Sequence, residues 1–443
     1  MCGKLWFLNL LRRPLILITA LIFLLPLDNI FLEIGVIKLR FAEILVLMTF
    51  LWIIINKSQK CLKLPSGFKM LMALVIFGFI VVLLRSQEDY SKGLVMELHI
   101  AVLAMIALVI YWLVLRGQDF QKVEDIVWKV TGLFIFMGLA QFCVYHLFGV
   151  NLGCDQQEFI LPGNVKLTIV CCGAEPGHSV FAFEEAPWFR SPSLFREGVL
   201  FGLLGAWYFA VSFLHLLLSH DKKWMWRCLL AAAAVIISAS RAAMLACLVT
   251  MFTAQQFVPK SRRLGAFLVP LVLLLAVISV DLATGQGIRQ FFQGRLEVGF
   301  AAEDIRWLMY KAQMENFLNN PLMGIGPGST ESVIRQTVGE GWEPETVPTG
   351  GYSTIFTMLS DLGLVGLGLF LAFIFKIYQD TRRTLQLFPL GLSPQGIYFF
   401  HGLLAMLVCG IFTQSVLGVG LFWFGVALAW TFIEKDLLLL DHS

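Results

Sequence analysis

Residues Trp224–Phe257, WMWRCLLAAAAVIISASRAAMLACLVTMFTAQQF, form a long apolar run interrupted near its middle by Ser240-Arg241. A bilayer span needs roughly 20 apolar residues, so the run is too long for one helix and short for two. Read as one helix, it leaves Arg241 near the bilayer centre, at a cost of at least about 2.5–3.5 kcal/mol. Read as a tight hairpin turning at Ser240-Arg241, it puts the guanidinium at a membrane face. The flanks decide between the two. His220–Arg227 (HDKKWMWR) and Pro259–Arg263 (PKSRR) are both basic, and basic loops stay cytoplasmic. Both stay inside only if the chain crosses twice between them, so the hairpin is expected and Arg241 faces outward. Ser240 then suits the N-cap of the second arm. That arm's unpaired N–H groups and positive dipole end point outward beside Arg241, which makes an anion site matched to phosphate. The competing reading makes Arg241 an anchor for the turn at the lipid headgroups.

Composition agrees with a membrane protein. Of 443 residues, 58% are hydrophobic and 14% charged, and the mean hydropathy is +0.79. The apolar runs are far longer than barrel strands, so the expected class is all-α, a polytopic membrane protein forming a single integral domain over residues 1–443. The net charge of +3 says little, because the basic residues are sorted by side; nothing points to nucleic acid. Lys4, Arg12 and Arg13 precede the first apolar run, which lacks a small-x-small cleavage site and reads as an anchor. Candidate spans fall at 14–34, 41–56, 68–84, 94–115, 125–149, 197–219, 225–239, 242–257, 264–283, 353–376, 395–413 and 415–434, about twelve in all. Every inward loop is then basic, from Lys57, Lys60, Lys63 and Lys69 to Lys376, Arg382, Arg383 and Lys435. Both termini are expected in the cytoplasm.

Two long segments are expected outside, 151–196 and 284–351; function concentrates in such loops. No G-x-x-x-x-G-K-[ST] is present, which argues against ATP-driven work. Of nine cysteines, only Cys154, Cys171 and Cys172 fall outside. In an oxidising compartment Cys154 pairs with Cys171 or Cys172, or all three stay free thiols. None of the seven histidines has a metal-binding spacing, and neither a metal nor a cofactor is expected.

The first outer segment ends in Trp188-Phe189-Arg190-Ser191-Pro192-Ser193-Leu194-Phe195-Arg196-Glu197-Gly198. It enters the sixth span, placing two arginines and a carboxylate at another outward helix N-terminus, unless they are interfacial anchors. The second segment holds Ala301–Asn319. Ile305, Leu308, Met309 and Ala312 make one helical stripe, and Trp307, Tyr310, Met314 and Phe317 another. A helix on the membrane surface or packed under a loop is expected there. Arg306 sits in its first turn, where a cation opposes the dipole, so it serves a contact elsewhere. Asn320-Pro321 stops that helix, and Gly324-Ile325-Gly326-Pro327-Gly328 follows, glycines that allow close backbone approach to a ligand or simply make turns.

Four pieces stand in order: Arg190 through Phe195-x-Glu197, Ser240-Arg241, the Arg306-Trp307 helix leading into Asn-Pro-Leu-x-Gly-Ile-Gly-x-Gly, and Asp361-x-Gly363-x-x-Gly366. Together they span about 186–370 and resemble the O-antigen ligase/polymerase superfamily of bacterial inner-membrane glycosyltransferases. Many members carry His-Asn nine residues before the acidic-x-Gly motif; here Tyr352-Ser353 stands in that place. A histidine base is therefore not expected, and the Arg-Ser-Pro-Ser-Leu-Phe-Arg-Glu entry is closer to the polymerases. The resemblance implies a polymerase acting on an undecaprenyl-pyrophosphate-linked oligosaccharide at the periplasmic face, without a metal. Arg241, Arg306 and Arg190 would stabilise the departing pyrophosphate, and Glu197, with Asp304 second, would take the acceptor proton. Arg196, Ser240, Gly326 and Tyr352 would contact substrate. A flippase and a chain-length regulator are the protein partners this admits. The alternatives are a ligase delivering glycan to lipid A core or another acceptor and, in a different class, a lipid-linked oligosaccharide flippase. A flippase calls for ionisable groups near the midplane and broken helices; Glu97, His99, Lys129 and His401 are ionisable residues found within spans, some near the ends.

Overall fold

The computed structural model describes residues 14–24, 30–34, 37–55, 64–65, 67–85, 90–117, 120–148, 157–161, 165–169, 180–181, 188–189, 198–219, 221–238, 240–258, 305–328, 353–388, 394–413 and 415–441. Helices dominate them, twelve in all among the described residues: α1 (Pro14–Leu24), α2 (Phe41–Ile55), α3 (Phe68–Arg85), α4 (Tyr90–Gly117), α5 (Phe120–Phe148), α6 (Gly198–Ser219), α7 (Lys222–Ile237), α8 (Arg241–Ala254), α9 (Ile305–Asn319), α10 (Thr354–Leu387), α11 (Gln395–Phe412) and α12 (Gly420–Asp441). The protein is an all-α polytopic membrane protein. Five of these helices are long and apolar enough to cross a bilayer by themselves, and α1, α2, α3 and α8 are shorter apolar helices. Eleven of the twelve expected spans fall on described helices; 264–283 lies outside the described residues. The first expected span, 14–34, is not helical to its end, since Ile30–Ile34 form a strand.

Short strands decorate the helices. After α1 the chain forms β1 (Ile30–Ile34) and β2 (Ile37–Arg40), while β3 (Gln157–Leu161) and β4 (Val165–Ile169) come from the first long loop. They join as one antiparallel sheet in the order β2-β1-β4-β3, with Phe31 opposite Thr168. The sheet thus ties the α1–α2 connection to the long α5–α6 connection.

The core is an aromatic-rich helix bundle with α11 at its centre, flanked by α12, α6, α8 and α10. Trp207, Phe213, Phe373, Phe399, Phe422, Trp423 and Phe432 are fully buried within it. Among helices in a bilayer such side chains are held by close van der Waals packing rather than by exclusion from water. Glycines let the helices close up: a Cβ on Gly402 of α11 would come 2.6 Å from the Trp207 indole, and one on Gly396 2.7 Å from Ile433.

Contacts sort the helix ends into two levels. At one end, Ser240, Gly202, Thr354, Gly410 and Val416 lie together. At the other, the Asp436 carboxylate accepts the Gln395 and Gly396 N–H groups at 3.1 and 2.6 Å, and Lys435 donates to Gln395 Oε1 at 2.6 Å. There too Arg227 lies over the Trp128 and Trp224 rings, 4.8 and 4.4 Å from their centroids, a cation–π arrangement. Asp221 caps α7 by accepting the Lys223 N–H at 3.0 Å, and that bond holds its carboxyl below the usual range.

Candidate functional site

The hairpin at Ser240-Arg241 forms for a local reason. Ser238 ends α7 by donating its hydroxyl to Val235 O at 2.7 Å and accepting the Ser240 N–H at 3.3 Å. Ser240 then turns extended and accepts the Ala243 N–H at 3.3 Å as the N-cap of α8. Two serines two residues apart thereby close one helix and open the next. Ser240 is buried and Arg241 exposed. The turn seats on α6 at Gly202, where a Cβ would lie 2.7 Å from Ser238 Oγ and 2.8 Å from Ser240 Cβ.

Three helix N-termini share this end of the bundle. α8 starts at Arg241, and Cys409 Sγ of α11 donates to Ala242 O at 3.6 Å. α10 starts at Thr354, whose hydroxyl donates to Gly410 O at 3.0 Å and accepts the Val416 N–H at 3.1 Å. α6 starts at Gly198, one turn before Gly202. All three positive dipole ends therefore surround the C-terminal turn of α11. An anion at this level meets helix N-termini and the Arg241 side together.

The helix carrying Arg306 has a partner helix. α9 packs side by side with α10, joined by Gln313 Nε2 donating to Thr357 Oγ1 at 3.1 Å and Asn316 Nδ2 donating to Ser360 Oγ at 3.3 Å. Tyr310 stacks on Phe356 with centroids 4.9 Å apart. Partners advance together along both helices, so the two run parallel. The buried face is Met309, Ala312, Gln313 and Asn316, at the i, i+3, i+4, i+7 spacing of a packed helix. The expected stripe through Met309 and Ala312 is therefore real, but the polar residues at 313 and 316 extend it.

The glycine run meets another backbone. Within α10, Gly363 departs from helical geometry at φ +66°. The helical partners Ser360–Leu364 and Asp361–Val365 are separated there, and residues 321–326 satisfy both halves of each lost bond. Ile325 and Gly326 donate to Ser360 O and Asp361 O at 2.8 and 2.9 Å, while Leu364 and Val365 donate to Pro321 O and Leu322 O at 2.9 and 3.2 Å. A Cβ on Gly324 would collide with the Asp361 backbone, and one on Gly363 with the Leu322 backbone. Gly326 (φ +105°) commits its N–H to this splice, so that amide is occupied by protein and Gly326 serves structure at this atom.

Of the other expected site residues, Arg306 lies in the first turn of α9, toward the end shared by the N-termini. Arg190, Arg196, Glu197, Asp304 and Tyr352 lie outside the described residues, as do Cys154, Cys171 and Cys172 and most of the two long loops. Among the described residues no three His, Cys, Asp or Glu side chains gather as metal ligands would. Sequence reasoning missed the polar seam between α9 and α10. Its signal was present as two polar pairs at i, i+3 spacing, Gln313/Asn316 and Thr357/Ser360, in neighbouring apolar helices.

Residues 227–371, about a third of the chain, match the family model described as O-antigen ligase. The matched region contains the hairpin, α9, the splice and the first half of α10, which carry three of the four pieces of the superfamily resemblance; the first piece, Arg190 through Glu197, precedes it. A comparison with curated proteins gives no match.

Proposed function

With an O-antigen ligase domain over residues 227–371 as premise, we propose that the protein is a surface-polysaccharide polymerase. Its donor is an undecaprenyl-pyrophosphate-linked oligosaccharide and its acceptor a second glycan. The observation that carries this reading is the convergence of the α6, α8 and α10 N-termini beside Arg241. A lipid-pyrophosphate substrate has an apolar tail for the bilayer, a charged group at headgroup level and a sugar chain beyond. The hairpin end supplies helix dipoles and a guanidinium where that charge would lie. The basic end, with Lys223, Arg227 and Lys435, then faces the cytoplasm, and the site faces the periplasm.

In the reaction, the acceptor hydroxyl oxygen attacks the donor anomeric carbon as the bond to the pyrophosphate oxygen breaks. The electron pair leaves with the lipid pyrophosphate, whose growing charge Arg241 and Arg306 offset, with Arg190 as a third donor. The hydroxyl proton passes to a carboxylate, Glu197 in first place. Charge neutralisation by guanidinium and helix dipoles makes no demand for a metal ion. Ser240 holds the α8 terminus toward the leaving group, Arg196 adds charge at the α6 mouth, and Tyr352 offers a ring to a sugar face.

The flippase alternative needs a broken helix with free backbone groups. α10 is broken, but all four groups released at Gly363 are bonded to residues 321–326, which favours the transferase. Tyr352-Ser353 in place of His-Asn favours a polymerase over a ligase. The test is Arg241→Lys and Arg306→Lys, which keep charge and lose the planar fork. Each variant is expected to reach normal membrane levels by immunoblot and to lose about 10²–10³ in transfer rate, leaving lipid-linked single repeats in place of long polymer on a gel. Normal polymer from both variants would overturn the assignment. Loss of glycan on lipid A core with chain length intact would identify a ligase instead.

A further inference from the structure

The α9–α10 seam is hydrogen-bonded at two rungs, Gln313–Thr357 and Asn316–Ser360. Gln313 gives its amide N–H to Thr357, yet its Oε1 is fully buried with no partner. One turn toward the start of α10, Ser353 is 1% exposed, and its hydroxyl is also buried without a partner. Ser353 occupies the N-cap position of α10 but makes no capping hydrogen bond with its side chain. Both paired rungs join residues 44 apart, and the same offset sets Met309 opposite Ser353. Met309 is apolar and fully buried, so the residue opposite offers the serine no partner.

Two orphaned polar oxygens one turn apart, at a helix N-terminus, are costly unless something completes them. They stand where the proposed site lies: Tyr352 immediately precedes Ser353, and Arg306 precedes Gln313 by seven residues on the same helical face. Gln313 Oε1 only accepts, so it repels a phosphate oxygen and needs a donor. Ser353 Oγ gives or takes, and the first N–H groups of α10 give. A sugar hydroxyl donates and accepts at once and meets all of them.

We propose that Ser353 Oγ and Gln313 Oε1, at the N-terminal end of the α9–α10 seam, form a specificity subsite for one hydroxyl of the acceptor glycan. The proposal rests on the glycan-transferase reading. A site that hydrogen-bonds a substrate hydroxyl in a dry setting rejects analogues that lack it, so this pair would choose among acceptor sugars without taking part in bond cleavage.

The test uses the full chain in detergent or nanodiscs, with oligosaccharide released from the host's surface polysaccharide as acceptor probe. Ser353→Ala and Gln313→Met remove one orphaned oxygen each, while Thr357→Val breaks the Gln313–Thr357 bond and leaves both orphans in place. Expected are an acceptor KM about tenfold higher for Ser353→Ala and Gln313→Met, with kcat within about twofold. The Tm of Ser353→Ala should be unchanged or raised, since the alanine removes an unpaired buried hydroxyl. Thr357→Val should lower Tm and leave KM in place. An unchanged KM in Ser353→Ala and Gln313→Met, or a KM that simply follows Tm through all three variants, overturns the subsite. Direct binding of the probe without donor, followed by saturation-transfer NMR, separates the two proposals. A wild type that binds the probe and is weakened by Ser353→Ala, yet transfers nothing from a lipid-pyrophosphate donor, keeps the subsite and sinks the transferase reading. No binding by the wild type sinks the subsite.

Discussion

Gly363 shows how much a single residue can carry. Its φ of +66° lies in the left-handed region, and its Cα faces the Leu322 backbone with no room for a Cβ. Gly363→Ala therefore combines backbone strain of about 1–3 kcal/mol with a clash that no rotamer relieves. The variant should express at strongly reduced levels or melt well below the wild type in a fluorescence size-exclusion assay. Gly368, whose Cβ would meet nothing within 4 Å, is the control, and its alanine variant should be neutral or slightly stabilising. The sequence marked 324, 326 and 363 as special but not the reason. A glycine run reads equally as a turn, a ligand approach or a crossing of chains, and only the partner strand tells them apart. For Tyr352, an unperturbed pKa near 10 argues against a base. Tyr352→Phe should keep most polymer formation and Tyr352→Ala lose more, read by chain length on a gel; equal loss in both would give the hydroxyl a direct role.

At the scale of elements, the hairpin was legible because its cause is local: two serines, an arginine and basic flanks all lie within about forty residues of one another. A substitution can separate its two duties. Ser240→Ala removes the cap of α8 and should cost about 1 kcal/mol. Ser240→Asp keeps a capping oxygen while adding negative charge at the proposed pyrophosphate level. Aspartate should therefore restore the wild-type Tm yet leave polymer absent; full polymer from Ser240→Asp would remove the anion from this end of α8. The placement of α9 was legible only in part. Its stripes announced a packed face, but its partner is set by hydrogen bonds 44 residues away, which no periodicity reports.

Across the whole molecule, hydropathy placed eleven of the twelve described helices, because the bilayer leaves the backbone few alternatives. What it left out was the arrangement around α11, since lateral neighbours follow from side-chain packing and small residues such as Gly396 and Gly402 rather than from apolar length. On a cysteine-free background, a cysteine at position 241 should react with a membrane-impermeant thiol reagent added to intact spheroplasts. One at position 223 should react only after lysis. Labelling in the opposite order would invert the protein in the membrane.

The splice has a further consequence for engineering. It pins the chain at 321–326, and Thr354 pins it again at the start of α10, so residues 329–352 leave from and return to fixed points on the same scaffold. Lengthening a tethered segment costs only about 0.6 kcal/mol per doubling. The two anchors can therefore be tested as a clamp: an epitope inserted between residues 328 and 353 should leave the melting temperature of the full-length protein close to that of the wild type.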